Sequence, residues 1–414
     1  MTTYTPYPKV IFGGATEYAD ETISNISISL GRRDIFEQAL PALINLELWT
    51  DANTPLNLTL SQSVDVQIQD SNGDYENLAE GIISDIDISL AAYGSEGSIA
   101  IYRITAVGAL ASLNKRLVGA DGYAKEFDGD RVYNILFEAF VTSWNEVAPT
   151  LTWQQVPAIT TWENYEGANQ TVIDNLATSV TQPGDFELTA YNDGETDALT
   201  LAQDAAQSAR GYLYEGRDGQ IYYDAYSTRT SRVPLTLTQD DLLADGLRQA
   251  AQWSEIVNNV TISYKNNQTV QSADGDSQFT YGQLSGSKAT SLENEVDAQS
   301  QADAYIASRA YPRTYPEELT IALHSPTVSD ATRDALITMN VSSAVFTNDL
   351  PAVFGTTFDG YVEGIKWRIN RYEAFMTLVC SAQSETYPHA IWLQIAPTVT
   401  WASYTPITDR WIDL

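Results

Sequence analysis

The sequence predicts a β-rich α+β protein in which two related antiparallel β-barrels flank a small mixed α/β insert domain. Three observations support this fold class: short alternating strands near both ends, a helix-and-hairpin segment in the middle, and one β-unit that occurs twice. Apolar residues at every second position are typical of half-buried strands. Such strands, when separated by Asn, Asp and Gly turns, indicate an antiparallel barrel or sandwich.

The repeated unit is a β-hairpin whose first strand begins at a glycine. The ten residues from Gly81, GIISDIDISL, align with the ten from Gly360, GYVEGIKWRI, at a constant offset of 279 positions, from 81 to 360. Each copy continues into a polar turn and a second apolar strand, at residues 99–104 and 375–380. The positions that define the repeat are Gly81, Ile83, Ile86 and Ile88 in the first copy, and Gly360, Val362, Ile365 and Trp367 in the second.

The order of patterns along the chain divides it into five segments. Prolines and paired glycines break up the start, and strand-like alternation then extends from Ile23 to Val107. The predicted segments are an N-terminal arm (1–20), a first β-barrel (21–108), an α/β insert domain (109–239), a second β-barrel with a helix at 297–310 (240–385) and a C-terminal arm (386–414).

The insert domain is predicted from two helices and a hairpin. An acidic cap at 128–130 precedes apolar residues at helical spacing. An alanine-rich helix from Asp197 to Ala209 ends before Gly211, which favours a helix stop. The strands on either side of Asp218-Gly219 then predict a tight hairpin.

The second barrel is predicted from a strand at 257–264, strands at 319–323 and 339–346, and the repeated hairpin from Phe358 to Ala382. Residues 265–290 are rich in Gln, Ser, Gly and Asp, and we expect a mobile excursion there. The C-terminal arm carries three spaced tryptophans. We predict that it docks along a neighbouring surface through Trp392, Trp401 and Trp411.

Charge limits the possible partners. The chain has 54 Asp and Glu against 22 Lys and Arg, a formal net charge of −32, which repels nucleic-acid backbones and anionic lipids. One hypothesis is an acidic lumen that lets DNA pass in transit; the alternative is charge spread over the outer surface for solubility. The chain shows no secretory signal pattern and no apolar run of about 20 residues, so we expect synthesis in a cytoplasm and no membrane insertion.

The sequence offers little for catalysis. Cys380 is the one cysteine and there are two histidines, so a disulfide framework or a Cys/His zinc site is excluded. No nucleophile elbow, phosphate loop or His-Glu-x-x-His helix is present. The segment Asp70–Asp74 starts like a calcium loop but has Gly81 where the bidentate glutamate belongs. We therefore expect no enzyme, no cofactor and no metal.

Three features together resemble the tail-hub, or minor tail, proteins of long-tailed bacteriophages. They are a helix that leads into Ala209-Arg210-Gly211-Tyr212-Leu213-Tyr214-Glu215-Gly216-Arg217-Asp218-Gly219, the segment Trp253-Ser254-Glu255-Ile256-Val257-Asn258-Asn259-Val260-Thr261, and a glycine-led strand in each flanking barrel. The domain order is also similar to baseplate hubs of contractile tails and to the base of VgrG-type spikes. The resemblance covers residues 20–385.

The resemblance implies a homotrimer at the tail tip of a virion. Two related barrels per subunit would make a ring of six similar units around the DNA channel, which adapts a six-fold tail tube to a three-fold tip. The implied partners are a tail tube or distal tail protein, a tail fibre or spike protein and a tape-measure protein, in a particle built in the host bacterial cytoplasm.

Two other functions remain open from the residues. The 24 Tyr and 9 Trp could stack on sugars in a host-receptor or carbohydrate-binding tail protein, although strands and subunit interfaces favour the same residues. A cell-wall hydrolase would need two carboxylates roughly 5–9.5 Å apart across a sugar cleft, which sequence adjacency cannot show.

Overall fold

Strands dominate the described part of the chain. A computed structural model describes residues 4–18, 22–94, 97–141, 162–243 and 245–386. The strands are β1 (Lys9–Phe12), β2 (Thr16–Tyr18), β3 (Ile23–Gly31), β4 (Leu40–Asp51), β5 (Ser63–Gln69), β6 (Tyr75–Gly94), β7 (Gly97–Val107), β8 (Leu117–Val118), β9 (Glu126–Phe127), β10 (Glu187–Leu188), β11 (Thr196–Asp197), β12 (Tyr212–Glu215), β13 (Ile221–Asp224), β14 (Leu235–Thr238), β15 (Leu247–Arg248), β16 (Asn259–Tyr264), β17 (Gln268–Ala273), β18 (Ser285–Ala289), β19 (Glu318–Ala322), β20 (Ala344–Asn348), β21 (Phe358–Ile369) and β22 (Ala374–Ala382).

Four of the eight described helices lie between the two strand-rich regions, and four lie within the second. They are α1 (Leu110–Leu113), α2 (Asp128–Phe140), α3 (Trp162–Ser179), α4 (Ala198–Ser208), α5 (Gly275–Tyr281), α6 (Glu295–Arg309), α7 (Asp330–Ile337) and α8 (Gln383–Thr386). The α4 helix begins where the Asp197 carboxylate accepts a hydrogen bond from the Thr200 amide, which satisfies one of the free amides of the first turn. The α3 helix has no counterpart among the predicted elements. No helix of the described ranges is long and apolar enough to cross a membrane.

One large sheet joins both strand-rich regions. The described strands pair in the order β15-β19-β22-β21-β3-β4-β7-β6-β5-β1-β2, and β20 and β14 extend the sheet from β21. The β-rich character is confirmed, but the predicted pair of antiparallel β-barrels is not, because no pairing among these strands closes a barrel. The reason is that β3 pairs with β21 along six residue pairs, so the sheet passes from one region into the other.

The two halves of this sheet have the same strand order. In the first unit, which we define as β3 to β7, the order across the sheet is β3-β4-β7-β6-β5. In the second unit, defined as β15 with β19 to β22, it is β15-β19-β22-β21-β20. The predicted hairpin from Phe358 to Ala382 is confirmed as β21 and β22.

The insert consists of small sheets and helices packed against the first unit. The hairpin of β12 and β13 forms as predicted around the Asp218-Gly219 turn. Buried apolar residues of the insert and of both units belong to one continuous core. This core fixes the position of the insert relative to the large sheet.

Residues 265–290 are more regular than the sequence predicted. Instead of a mobile excursion they contain β17, α5 and β18, and β16 pairs with both strands. A fully buried asparagine organises the segment: the Asn258 side chain accepts from the Leu284 amide and donates to the Gly282 carbonyl, each at 2.8 Å. Residues 265–290 are thus ordered despite their polar composition, because Asn258, which lies outside the segment, bonds to it.

A buried ionic cluster connects the two units to the insert. The carboxylate of Glu363, in β21, accepts from Arg32 Nε at 2.7 Å, from Arg229 Nη2 at 2.8 Å and from Ser381 Oγ at 2.5 Å. The Glu363 carbonyl accepts from the Arg32 amide at 2.8 Å and the Tyr212 hydroxyl at 2.5 Å. Arg32 follows β3, Arg229 and Tyr212 belong to the insert, and Glu363 is fully buried, so one residue fastens three parts of the molecule.

The two guanidinium groups keep Glu363 ionised. Burial alone would raise the pKa of this carboxyl, but the charges of Arg229 and Arg32 and the Ser381 hydrogen bond together hold the pKa below its usual value. Removing one member of this buried cluster should lower the free energy of unfolding strongly, because the remaining members stay charged and have no access to water.

A second buried carboxylate ties the insert to the first unit. Glu215, at the end of β12, accepts from the amide of Ala42 at 2.5 Å and from the amide of Leu110. No cation faces it among its hydrogen-bond partners, and burial raises the pKa of Glu215 to about 7. Its ionisation therefore opposes folding near neutral pH.

We predict that Glu363→Ala lowers the free energy of unfolding by about 3–5 kcal/mol, because Arg32 and Arg229 are left as uncompensated buried charges. Urea denaturation followed by tryptophan fluorescence measures the change. The matched control is Glu47→Ala, which breaks a salt bridge to half-exposed Arg103 and should cost less than about 1 kcal/mol. Equal losses in the two variants would contradict the role given to the cluster.

We also predict that Glu215→Gln reduces the pH dependence of stability. An unfolded glutamate has a pKa of about 4.3, and the folded value is about 7. The contribution of Glu215 is therefore full below about pH 4 and is lost as the pH rises to 7, a loss of about 3 kcal/mol. Unfolding free energies measured from pH 4.5 to 7.5 should fall less steeply in the variant. Parallel curves for the two proteins would refute this role.

Candidate assembly surface

Both hairpins of the repeat carry a β-bulge at the same place. The register of β6 with β7 shifts at Ser84, and the register of β21 with β22 shifts at Glu363. These residues lie 279 positions apart, from 84 to 363, which is the offset at which the two sequences align. A bulge redirects a strand, so both copies bend at the same point.

A glycine begins each copy because a carbonyl group lies too close for a side chain. A Cβ atom on Gly81 would lie 2.8 Å from the carbonyl oxygen of Val107, and one on Gly360 would lie 2.4 Å from that of Ser381. In both copies this carbonyl belongs to the residue that pairs with the position after the glycine.

A serine with left-handed backbone marks a further equivalent position. Ser61 and Ser342 both have φ of 67°. The Ser61 amide donates to the carbonyl of Ile83 at 2.9 Å, and the Ser342 amide donates to the carbonyl of Val362 at 2.7 Å. Ile83 and Val362 are again 279 positions apart, although the sequences before the glycines show little identity.

Beyond the bulge the two copies differ in what covers the strand. In β21 the side opposite β22 is occupied, since Gly364–Ile369 pairs with Ile26–Gly31 of β3. In β6 the same side is free: within the described ranges, residues 84–90 pair with β7 alone. We call residues 84–90 of β6 the open edge. Its backbone can pair with another strand, as exposed edges generally can.

The open edge carries two exposed apolar side chains on one face. Ile88 and Leu90 are each 58% exposed. Their equivalents in the second unit, Trp367 and Ile369, are 3% and 0% exposed because β3 and the core cover them. An apolar stripe beside a free strand edge is typical of a protein–protein contact.

The structure distributes the repeat-defining residues over buried and exposed places. Ile83, Gly360, Val362, Ile365 and Trp367 are buried, Gly81 and Ile86 are half-buried, and Ile88 is exposed. The tryptophans of the predicted docking arm, Trp392, Trp401 and Trp411, lie outside the described residues, so docking stays a prediction. Glu363 was not among the predicted site residues, because a charged residue between apolar positions is also what an ordinary half-exposed strand contains.

The described residues offer no metal-binding group of three or more His, Cys, Asp or Glu side chains. The Asp70 to Asp74 segment forms a turn in which the Asp70 carboxylate accepts from the amides of Asn72 and Asp74, each at 2.8 Å. The Asp70 carboxylate therefore stabilises the turn that contains it. The feature of the described chain that points to a partner is the open edge.

Comparison with solved structures finds phage tail proteins with this fold. The 43 kDa tail protein of prophage MuSo2 from Shewanella oneidensis is 12% identical and aligns with a TM-score of 0.55, over 92% of this chain and 99% of its own. A tail protein from Neisseria meningitidis is 13% identical and aligns with a TM-score of 0.57, over 92% of this chain and 98% of its own.

Such low identities show a shared fold and nothing finer. No family model matches the chain. No curated protein matches it either. The chain thus has the fold of these tail proteins over nearly its whole length.

We predict that equivalent positions in the two copies respond differently to truncation. Trp367→Ala should lower the free energy of unfolding by about 3–5 kcal/mol, because it empties a buried site. Ile88→Ala, at the equivalent exposed site, should cost less than about 1 kcal/mol in dilute protein. Chemical denaturation at submicromolar concentration measures both. A large loss for Ile88→Ala would mean that the open edge is covered within the single chain.

Proposed function

We propose that this protein is a structural component of a bacteriophage tail, a hub at the tail tip in which three copies form a ring around the DNA channel. Two related units in each chain would give six similar units, which adapts a six-fold tail tube above to a three-fold tip below. The proposed neighbours are the tail tube or distal tail protein, the tail fibre or spike protein and the tape-measure protein.

One observation carries the ring assembly: no described strand pairs with the open edge of β6, whereas β3 covers the equivalent edge of β21. The fold shared with two phage tail proteins supports the setting in a tail. The repeated strand order supports the count of two ring-building units per chain. We keep the predicted division at residues 20, 108, 239 and 385 as part of this proposal.

The net charge of −32 fits passage of DNA without retention. In the proposed ring, carboxylates line the lumen, and DNA is a passenger and not a bound ligand. The C-terminal arm, residues 386–414, is proposed to dock on a neighbouring surface of the tail tip. The protein itself performs no chemistry in this proposal.

The test of the hub is the mass of the purified protein in solution. Light scattering after gel filtration should give three times the chain mass of 45.6 kDa. Ile88→Asp places a charge on the open edge and should shift the protein to the monomer. The control Val233→Asp changes a side chain that is 90% exposed elsewhere and should leave the trimer intact. A wild-type monomer at tens of micromolar would overturn the proposal.

A further inference from the structure

We propose that the open edge of β6 pairs antiparallel with residues 247–252 of another copy of this chain. This inference rests on the proposed ring and names the contact that closes it. We call residues 247–252, which contain β15 and the four residues after it, the partner segment. The occupant is therefore a second copy, joined head to tail.

The partner segment is identified by its place in the repeat. In the first unit one side of β3 pairs with β4, and its other side pairs with the edge of β21. In the second unit β15 lies beside β19, at the end of the sheet, and its other side pairs with no strand among the described residues. What β3 does for β21 within one chain, β15 and its extension would do for β6 of a neighbour.

The register follows from the pairings in each unit. Ile26 of β3 is opposite Leu46, and Leu247 of β15 is opposite Leu319. Leu46 is opposite Ile104, which is opposite Ile86 of β6. Leu319 is opposite Leu378, which is opposite Ile365 of β21. Because Ile86 and Ile365 are aligned residues of the repeat, Leu46 and Leu319 are equivalent. Leu247 is therefore the counterpart of Ile26.

Each pair between β3 and β21 has a counterpart at the open edge. Ile26, Ile28 and Leu30 are opposite Ile369, Trp367 and Ile365 in the chain. Applied to the open edge, the same register places Leu247, Gln249 and Ala251 of one copy opposite Leu90, Ile88 and Ile86 of the next. These pairs bring the exposed apolar stripe of β6 onto a second strand.

The backbone of the partner segment is available to pair with another strand. Residues 249–251 follow β15 without a backbone hydrogen bond to any other described residue, and residues 251–254 are exposed. Trp253, just beyond, is 63% exposed. Amide and carbonyl groups without backbone partners are what edge pairing requires.

This register also gives Arg248 a charged contact. The side chain is half-exposed, lies 3.5 Å from Glu318 of its own chain, and would lie opposite Ser89 of the neighbour and diagonal to Asp87 on the same face. Diagonal neighbours across paired strands are within reach of long side chains. Asp87 also has Arg103 Nη1 at 3.8 Å within its own chain, so the contact would bring Asp87 together with two cations.

Disulfide trapping tests the register. Two chains with different tags, each carrying one introduced cysteine, Ile88→Cys in one and Gln249→Cys in the other, are mixed, dissociated, reassembled and oxidised. Facing residues of paired strands lie within disulfide range. The expected product is a covalent dimer containing one chain of each tag, seen by nonreducing electrophoresis and mass spectrometry. The native Cys380 is buried at 3% exposure and stays in both chains.

The matched control replaces Gln249→Cys by Arg248→Cys, whose side chain points to the opposite face, and should lose the product. A trimeric mass without the 88–249 dimer would overturn this inference while leaving the proposed hub standing. A dimer formed by Ile88→Cys alone would also overturn it, since β6 would then pair with itself. A monomeric mass in every mixture would overturn the hub and the inference together.

Discussion

The carboxylate of Glu363 is the constraint on which the rest of the structure depends. It sits at a β-bulge, inside the core, and its charge must be balanced there. Arg32 arrives from the end of β3 and Arg229 from the insert, so these elements must occupy fixed places. In the first unit the bulge residue is the exposed Ser84, which needs no such balance. The second unit thus has an internal anchor that the first unit lacks.

This asymmetry explains how one duplicated unit can have two uses. The anchor draws β3 onto β21 and covers Trp367, while the matching strand β6 is left uncovered at Ile88. One junction is made within the chain, and in the proposed ring a neighbouring copy would make the other. Since the two edges of a chain differ, such a contact would be head to tail, and head-to-tail contacts close into rings when the rotation allows.

Sequence reasoning reached the local features and missed the long-range ones. The hairpin from Phe358 and the helix capped at Asp197 follow from periodicity and capping, which are written in adjacent residues. The passage of the sheet from β3 to β21 depends on pairing between residues more than 300 positions apart, for which one sequence has no signal. Glu363 looked like an ordinary outward residue of an alternating strand, because the bulge that turns it inward is invisible in the sequence.

The β6–β7 hairpin is longer than its counterpart, and the difference has a geometric consequence. β6 continues four residues past Leu90, to Gly94, whereas β21 ends at Ile369, the position equivalent to Leu90. In a ring of six alternating units the extension would occur at every second position. The rim of the ring would then carry three projections, and a partner that binds this face would find three binding sites 120° apart. The paired strands beneath would still repeat six times.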